Sequence, residues 1–565
     1  MMSTRRVTTL TQADRTAGIG VLLLTLGCYL ATFIGLPGNP DAEVEYQTAR
    51  SIARLDGFAI SEEIPEGRFI IASEFDVRQG RDERWYSWFG VGQAIAAVPL
   101  YWSGMLLGEV FDGVEARHTQ TLAYGQPRSE YWAHLAVGLR NPILGALTVW
   151  LVFLCARQVG VRRHAAVVAS AAYGLATFAW PQARDGLSDV QATFLATLAM
   201  WLLLSIRGAF DVLKAPSPWR FAALGACLGA MVLTRVLTAP IAIVFAVATV
   251  VTAIRGRRRL WSMPLLKGQA GASRARVDLV WFAAPAFAAA LFFLWSNWVR
   301  FGDPLETGYS DAVASGTFFS YPPHLGLLGV TIAPGKGLLW HAPFVLLVLF
   351  GLSKLVRDRF LLALVVGVSL AVFLPPIHTQ TFHGAWTYGP RYVLPALPFL
   401  WLGAAMGFER LDRGRRRLLP WSLVGLGLIT SLGGVVVDQS VHHSLALDAA
   451  AVEWSELGEG READDQRFVA IQWDWRFAAP WAHWRIFRHR AAGLPETFGS
   501  NQIFYLDERI SLDPVHERDR GFRHLAWVDL EQRLDGQPWP GVALAALLLA
   551  LGVLQIVRGY DPTQH

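Results

Sequence analysis

Apolar runs close to 20 residues long recur along this chain, and short arginine-rich loops separate them. A run of about 20 residues is what an α-helix, rising 1.5 Å per residue, needs to cross the hydrocarbon core of a bilayer. Backbone polar groups in hydrocarbon must be satisfied within the segment, so continuous apolar runs of this length fold as membrane-spanning helices. Composition agrees with that restriction. Of 565 residues, 53% are hydrophobic and only 17% are charged, against roughly a quarter charged in soluble proteins. The apolar content excludes a disordered or collagen-like chain. The 3 cysteines, Cys28, Cys155 and Cys227, all lie in apolar runs and form no CxxC spacing, so they signal neither a metal nor a redox site.

A net charge of +5 does not mark a nucleic-acid binder here. The basic residues form no single stripe; they gather in loops between apolar runs, as cytoplasmic loops do under the positive-inside rule. Arg5, Arg6 and Arg15 flank the run 17–36, which is too long for a signal-peptide core, so the amino terminus is expected in the cytoplasm. The loops 157–164, 255–259, 353–359 and 409–417, with the segment around Arg207, Lys214 and Arg220, are expected on the same side. Twelve spans satisfy these markers: 17–36, 132–156, 164–182, 187–206, 219–235, 237–254, 277–298, 338–353, 358–375, 390–409, 418–438 and 541–558. A further run, 90–111, breaks the parity if it crosses alone. It reads as a juxtamembrane or re-entrant helix within a long first outer segment, 37–131, although 13 or 14 spans stay open. The expected fold is therefore an all-α polytopic membrane protein. Residues 1–440 form its membrane module, 441–540 a small Trp-rich extracytoplasmic domain, and 541–565 a final span with a cytoplasmic tail.

Ionisable residues crowd the expected outer ends of the spans, where charge is costly and marks candidate functional groups. The first outer segment opens with Asp41, Glu43 and Glu45, followed by Arg50 and Arg54 one helical turn apart. On residue type alone, helix capping by Asn39 or Asp41 and dipole compensation are the favoured account of such acids. ARDGLSD supplies Arg184, Asp185 and Asp189, Arg235 falls between two runs, and GDPLETGY carries Asp303, Glu306 and Tyr309. APGKGLLWHAP contributes Lys336 and His341, and HTQTFHGAWTYGPRY contributes His378, His383, Trp386, Tyr388 and Arg391. Fixed arginines and a lysine suit a phosphate group, one as a planar fork and the other as a point charge. PGKG is not a nucleotide-binding P-loop, because the leading glycine spacing fails and glycine follows the lysine. Two histidines five apart are a weak metal signal. No motif specifies a cofactor, and a divalent cation stays open.

The motifs DAEVEYQTARSIARLDGF, RWYSWFGVGQAIAAVPLY, YGLATFAWPQARDGLSD, LTRVLTAP, FGDPLETGY, APGKGLLWHAP and HGAWTYGPRYVLPALPFL follow one another over most of 17–410. In that order they resemble the bacterial family 39-like members of the GT-C glycosyltransferases, related to lipid A aminoarabinose transferases and protein O-mannosyltransferases. Segment 441–540 shows no such resemblance. The resemblance implies that Asp41 is the essential acid of the first outer loop, and that Arg235, Lys336 and Arg391 surround a lipid-phosphate pocket. Many relatives have an adjacent Asp-Glu pair. This chain has Asp41-Ala42-Glu43, which leaves Glu43 as the alternative base. Arg184, Asp189, Glu306, Tyr309, His341, His383, Trp386 and Tyr388 are the expected substrate-contacting residues, the two aromatics by stacking on a sugar face.

The implied activity is inverting transfer of a sugar from a polyprenyl-phosphate donor to a hydroxyl on a glycan, lipid or protein acceptor. It would take place on the outer side of a bacterial plasma membrane, in contact with membrane lipids and with no nucleic acid. Two other classes compete with this reading. A lipid-linked-sugar transporter or flippase would put charge near the midplane and show paired repeats, and a non-catalytic glycan-binding scaffold would use 441–540.

Overall fold

In the computed structural model, the described residues are 10–35, 40–60, 77–111, 130–212, 214–261, 271–310, 313, 319, 321–379, 383–491 and 539–559. Within them the chain is helical apart from one small hairpin. In order, the elements are α1 (Gln12–Ala31), α2 (Pro40–Ala53), β1 (Val77–Gln79), β2 (Trp85–Ser87), α3 (Gly92–Val110), α4 (Tyr131–Gly138) and α5 (Arg140–Gln158). Next come α6 (Arg163–Leu175), α7 (Ala179–Arg184), α8 (Ser188–Asp211), α9 (Pro218–Thr234), α10 (Ala239–Trp261) and α11 (Gly271–Phe301). The chain continues through α12 (Pro323–Ile332), α13 (Leu338–His341), α14 (Val348–Thr379), α15 (Leu397–Leu411) and α16 (Leu418–Val436). It closes with α17 (Gln439–Glu453), α18 (Arg461–Trp473), α19 (Ala479–Ala491) and α20 (Trp539–Arg558). Strands β1 and β2 pair antiparallel, with Arg78 opposite Tyr86.

Nine helical segments among the described residues are long and apolar enough to cross a membrane, and Pro218–Thr234 and Pro323–Ile332 are shorter apolar helices. The expected spans 338–353 and 358–375 fall largely within one continuous segment, Pro343–Ile377. Its helical geometry breaks at Arg359 (φ −141°, ψ 45°), so two helices meet there end to end. The expected span 164–182 is divided between α6 and α7. The run 90–111 forms α3, which packs against α2 and α4 and is not among the nine long apolar segments.

Close helix approach depends on residues too small to hold backbones apart. The first and last helices meet this way: a side chain at Gly20 would sit 2.7 Å from the backbone nitrogen of Ile556, and one at Gly27 would sit 2.9 Å from Leu549. Gly225 brings α9 against Phe282 of α11, and Gly351 brings α14 against Gly403 and Gly407 of α15. The main core runs through the bundle around Phe153, Phe344, Phe399 and Trp401. Trp401 is fully buried and donates its indole N–H to the Ala169 carbonyl at 2.6 Å.

The bundle has two chemically different ends. At one end the expected cytoplasmic markers converge. Asp14 is 2.9 Å from Arg157 and 2.8 Å from Arg163, while Glu409 pairs with Arg162 at 3.2 Å and Lys354 at 2.5 Å. Helices α5 and α15 lead from these pairs to the other end, where Arg140 and the turn containing Arg391 lie. Helices α17 to α19 cover that second end around a separate core that includes Leu445, Phe468, Ile471, Phe477 and Ile486. Residues 492–538 of the expected 441–540 domain lie outside the described residues.

Candidate active site

Helix α2 starts at Pro40, whose fixed φ suits a first helical position, and carries Asp41 and Glu43 in its first turn. Successive residues turn about 100° around a helix, so Asp41 and Glu43 lie about 200° apart, whereas Asp41 and Glu45 lie within about 40°. The contacts follow this phase. Glu43 is buried, accepts from Gln47 Nε2 at 2.8 Å, and lies 3.4 Å from His134 Nε2 on α4. Asp41 faces elsewhere: its Oδ2 accepts from both terminal nitrogens of Arg391, each at 3.3 Å. Its side chain is 26% exposed, against 10% for Arg391.

A ring links this pair to a second one. The guanidinium carbons of Arg391 and Arg235 each lie 4.9 Å from the centroid of Tyr392, and Arg391 also donates to the Tyr392 hydroxyl at 3.3 Å. Arg235 sits in extended backbone (φ −151°, ψ 107°) where α9 stops, and its Nη1 lies 2.9 Å from Asp189 Oδ1 in the first turn of α8. Asp41, Arg391, Tyr392, Arg235 and Asp189 therefore form one continuous polar row. Tyr309 is buried within electrostatic reach of Arg235 and Asp41, and burial pushes its phenol above the ordinary range. Asp185 adjoins the row. Burial raises its carboxyl to about 7, with Arg391 opposing the shift and Asp41 adding to it.

The loop carrying Arg391 is unusual backbone, with positive φ at Gly384 (64°), Ala385 (56°) and Gly389 (71°). Lys336, 1% exposed, donates its ammonium to the carbonyls of Ala385 (2.9 Å) and Thr387 and so fixes that loop. Burial, helped by the nearby Arg391 charge, drives Lys336 well below the ordinary lysine range. Tyr388 is buried beneath the loop, donating to the Thr430 carbonyl at 2.5 Å while its own carbonyl accepts from Gln182 at 2.8 Å. His341 lies edge-on to Tyr388 at 4.9 Å, with Nδ1 2.9 Å from the Gly337 carbonyl, and burial lowers it to about 3.

The remaining expected contacts are spread around this centre. Arg184 is buried and committed to the carbonyls of Thr32, Gly434 and Val435 at 2.6, 3.3 and 2.5 Å. Glu306 pairs with Arg78 at 2.9 Å and accepts from the Gly308 amide at 2.7 Å; partial burial works to raise its carboxyl, but the Ser310 side chain, the Gly308 amide and the Arg78 charge together hold it below the ordinary range. His383 meets Phe468 edge-on at 4.7 Å, and burial lowers it to about 3. Trp386 is 47% exposed and lies nearly parallel to Phe468, 6.5 Å away.

Two residues gain a place that residue type alone does not give them. Tyr392 follows Arg391 directly and joins both arginines. Glu45, four residues beyond Asp41 on the same helical face, is buried, and its Oε1 has no hydrogen-bond partner among the described residues. Burial raises its carboxyl to about 8, with Arg140 and Arg300 pulling it down and Asp41 pushing it up. Both arginines are themselves occupied: Arg140 donates to Gly186 at 3.0 Å, and Arg300 to Ser87 and Phe89 at 3.0 and 2.9 Å. Among the described residues, no group of three or more His, Cys, Asp or Glu side chains is arranged to hold a metal ion.

No protein-family model and no curated protein matches this chain. Among solved structures, it is similar to the archaeal oligosaccharyltransferase AglB from Archaeoglobus fulgidus, in complex with an inhibitory peptide and a dolichol-phosphate. That match has 13% identity and a TM-score of 0.41, and covers 81% of this chain and 60% of the archaeal one. It is also similar to ArnT from Cupriavidus metallidurans bound to undecaprenyl phosphate, at 15% identity and a TM-score of 0.40, covering 96% of this chain and 76% of that one. These neighbours are GT-C glycosyltransferases, the group that the sequence motifs resemble. At TM-scores near 0.4 the likeness is loose, and what the site of this chain can do is read from its own residues.

Proposed function

We propose that this chain is a membrane glycosyltransferase that moves a sugar from a polyprenyl-phosphate donor to a hydroxyl acceptor, with Asp41 as the base. The observation that carries this reading is the partly open Asp41 carboxylate held by Arg391 beside the Arg235–Asp189 pair. A carboxylate beside two guanidinium groups supplies both halves of such a transfer. One half removes a proton and the other stabilises charge on a departing phosphate.

In the proposed reaction, a donor phosphate draws the Arg391 fork away from Asp41. The freed carboxylate accepts the acceptor hydroxyl proton as that oxygen forms its bond to the anomeric carbon. The bond from the anomeric carbon to the phosphate oxygen breaks, and its electron pair leaves with the phosphate, which Arg391 and Arg235 stabilise. A single displacement of this kind inverts the anomeric centre. Lys336 contributes by holding the 384–391 loop, and Tyr392 by fixing the distance between the two arginines. Glu45, its carboxyl raised to about 8 by burial, offers a buried carboxyl group one turn below Asp41 on the same face. Trp386, half exposed, remains available to stack on a sugar.

The site lies at the end opposite the arginine-rich turns, and the positive-inside rule supports the reading that it works on the outer face, proposed here to be that of a bacterial plasma membrane. The test is a mass-spectrometric profile of lipid-linked sugars in cells with and without the protein. Loss of the protein should cause one polyprenyl-phosphate sugar to accumulate and one glycoconjugate to lose a residue. An unchanged profile on both counts contradicts the proposal.

A further inference from the structure

Remote from Arg391, at the other end of α15, a cavity of about 540 Å³ opens between the start of α6 and the turn into α16. Helix α15 has 15 residues, so about 20 Å separates this cavity from the site at a rise of 1.5 Å per residue. Its lining includes His164, Asp412, Arg413, Arg417, Leu418 and Trp421.

The charges here do not cancel. Asp412, the acid in the wall, is already engaged: one carboxylate oxygen lies 3.3 Å from His164 Nε2, and the other accepts the Trp421 indole N–H at 3.1 Å. The neighbouring acids are also committed, Asp14 to Arg157 and Arg163, and Glu409 to Arg162 and Lys354. Arg413, Arg415, Arg416 and Arg417 are exposed and have no side-chain partner among the described residues. Directly after them, the first turn of α16 exposes Leu418, Leu419 and Trp421. Unpaired guanidinium groups therefore sit where the apolar face of a membrane helix begins. The same turn leads into the amino-terminal end of α16, whose dipole adds to the positive potential.

We propose that this pocket binds the phosphodiester headgroup of an anionic membrane lipid. Arg413 and Arg417 grip the phosphate, Trp421 lies at the level of the headgroup, and Leu418 meets the upper acyl chains. Three features of the site fit this chemistry. A phosphodiester supplies the negative charge the turn lacks, guanidinium forks match its oxygens, and a basic pocket between membrane helices at the cytoplasmic end meets headgroups of that charge. A bound headgroup would tie α6 to the α15–α16 turn.

The full-length protein, purified in detergent, tests this by thermal unfolding and native mass spectrometry. The additions are phosphatidylglycerol, phosphatidylcholine or inorganic phosphate. Phosphatidylglycerol should raise the Tm and stay bound, while phosphatidylcholine and inorganic phosphate should do neither. The double variant Arg413→Gln/Arg417→Gln, altered at exposed positions, should retain about tenfold less phosphatidylglycerol and lose the Tm gain. Arg415→Gln/Arg416→Gln, on the same turn but outside the lining, should keep most of both effects. Equal retention by the Arg413/Arg417 variant, equal protection by phosphatidylcholine, or protection by inorganic phosphate alone would each overturn the proposal. None of these readouts depends on glycosyl transfer.

Discussion

Arg391 grips Asp41 through both terminal nitrogens at 3.3 Å, joining residues 350 positions apart, while Glu43, two residues from Asp41, faces His134 on the opposite side of the same helix. Of the two acids that the sequence leaves open, the proposed mechanism takes Asp41 as the base on this geometry. Glu43→Gln should leave turnover close to wild type and lower stability by about 1 kcal/mol, the net worth of a buried hydrogen bond. Thermal unfolding beside a transfer assay separates the two effects. A Glu43→Gln protein that unfolds normally but does not turn over would make Glu43 the base.

Arg391→Lys keeps the charge and removes the planar fork. In the proposed mechanism that fork holds Asp41 before the donor binds and the phosphate afterwards, so kcat should fall by about 100-fold. Steady-state kinetics with a polyprenyl-phosphate sugar measure this. Unchanged kcat would mean that Arg391 carries charge but not geometry.

Glu45 sets a pH dependence. Its carboxyl is raised from 4.5 to about 8 by burial, so the folded protein retains a proton there that the unfolded chain releases. Stability from this group is therefore present below the unfolded value. It falls as pH rises through the window between 4.5 and 8 and levels off above it. Glu45→Gln mimics the protonated form at every pH. Its Tm should match wild type near the acid end of the window and exceed it at the alkaline end; a Tm difference that does not vary with pH would contradict the assignment.

Lys336→Met removes the donors shared by the Ala385 and Thr387 carbonyls. The Ala385 carbonyl keeps the Thr387 amide as a donor at 2.9 Å, but leaving the buried Thr387 carbonyl without its ammonium donor should cost about 1–3 kcal/mol and loosen the loop that presents Arg391. Trp386→Ala, at a half-exposed ring, should cost much less. Comparable unfolding temperatures for the two variants would deny Lys336 its structural role.

The membrane architecture was legible in the sequence because its cause is local. Runs of apolar residues and clusters of arginine are properties of neighbouring positions, and loops 157–164, 353–359 and 409–417 do meet at one end through Arg162, Lys354, Glu409, His164 and Asp412. The helical phase separating Asp41 from Glu43 was also local. The roles of Lys336, Arg184 and Tyr388 were not. Lys336 reaches carbonyls 49 and 51 residues away, Arg184 up to 251, and Tyr388 42. A buried cation satisfied by carbonyls and one facing a ligand have the same sequence signature. Helix ends posed a similar difficulty: the break at Arg359 replaces an expected loop by a change of one residue's backbone geometry, with no glycine or proline there to announce it.

The most direct measurement of the central claim is sugar transfer by purified wild-type and Asp41→Asn proteins, with donor binding measured in parallel on the same samples. The account predicts that the Asn variant binds the polyprenyl-phosphate sugar and unfolds at a similar temperature, yet transfers about 10²–10⁴-fold more slowly. Transfer at the wild-type rate by the Asn variant would contradict the assignment of Asp41 as the proton acceptor.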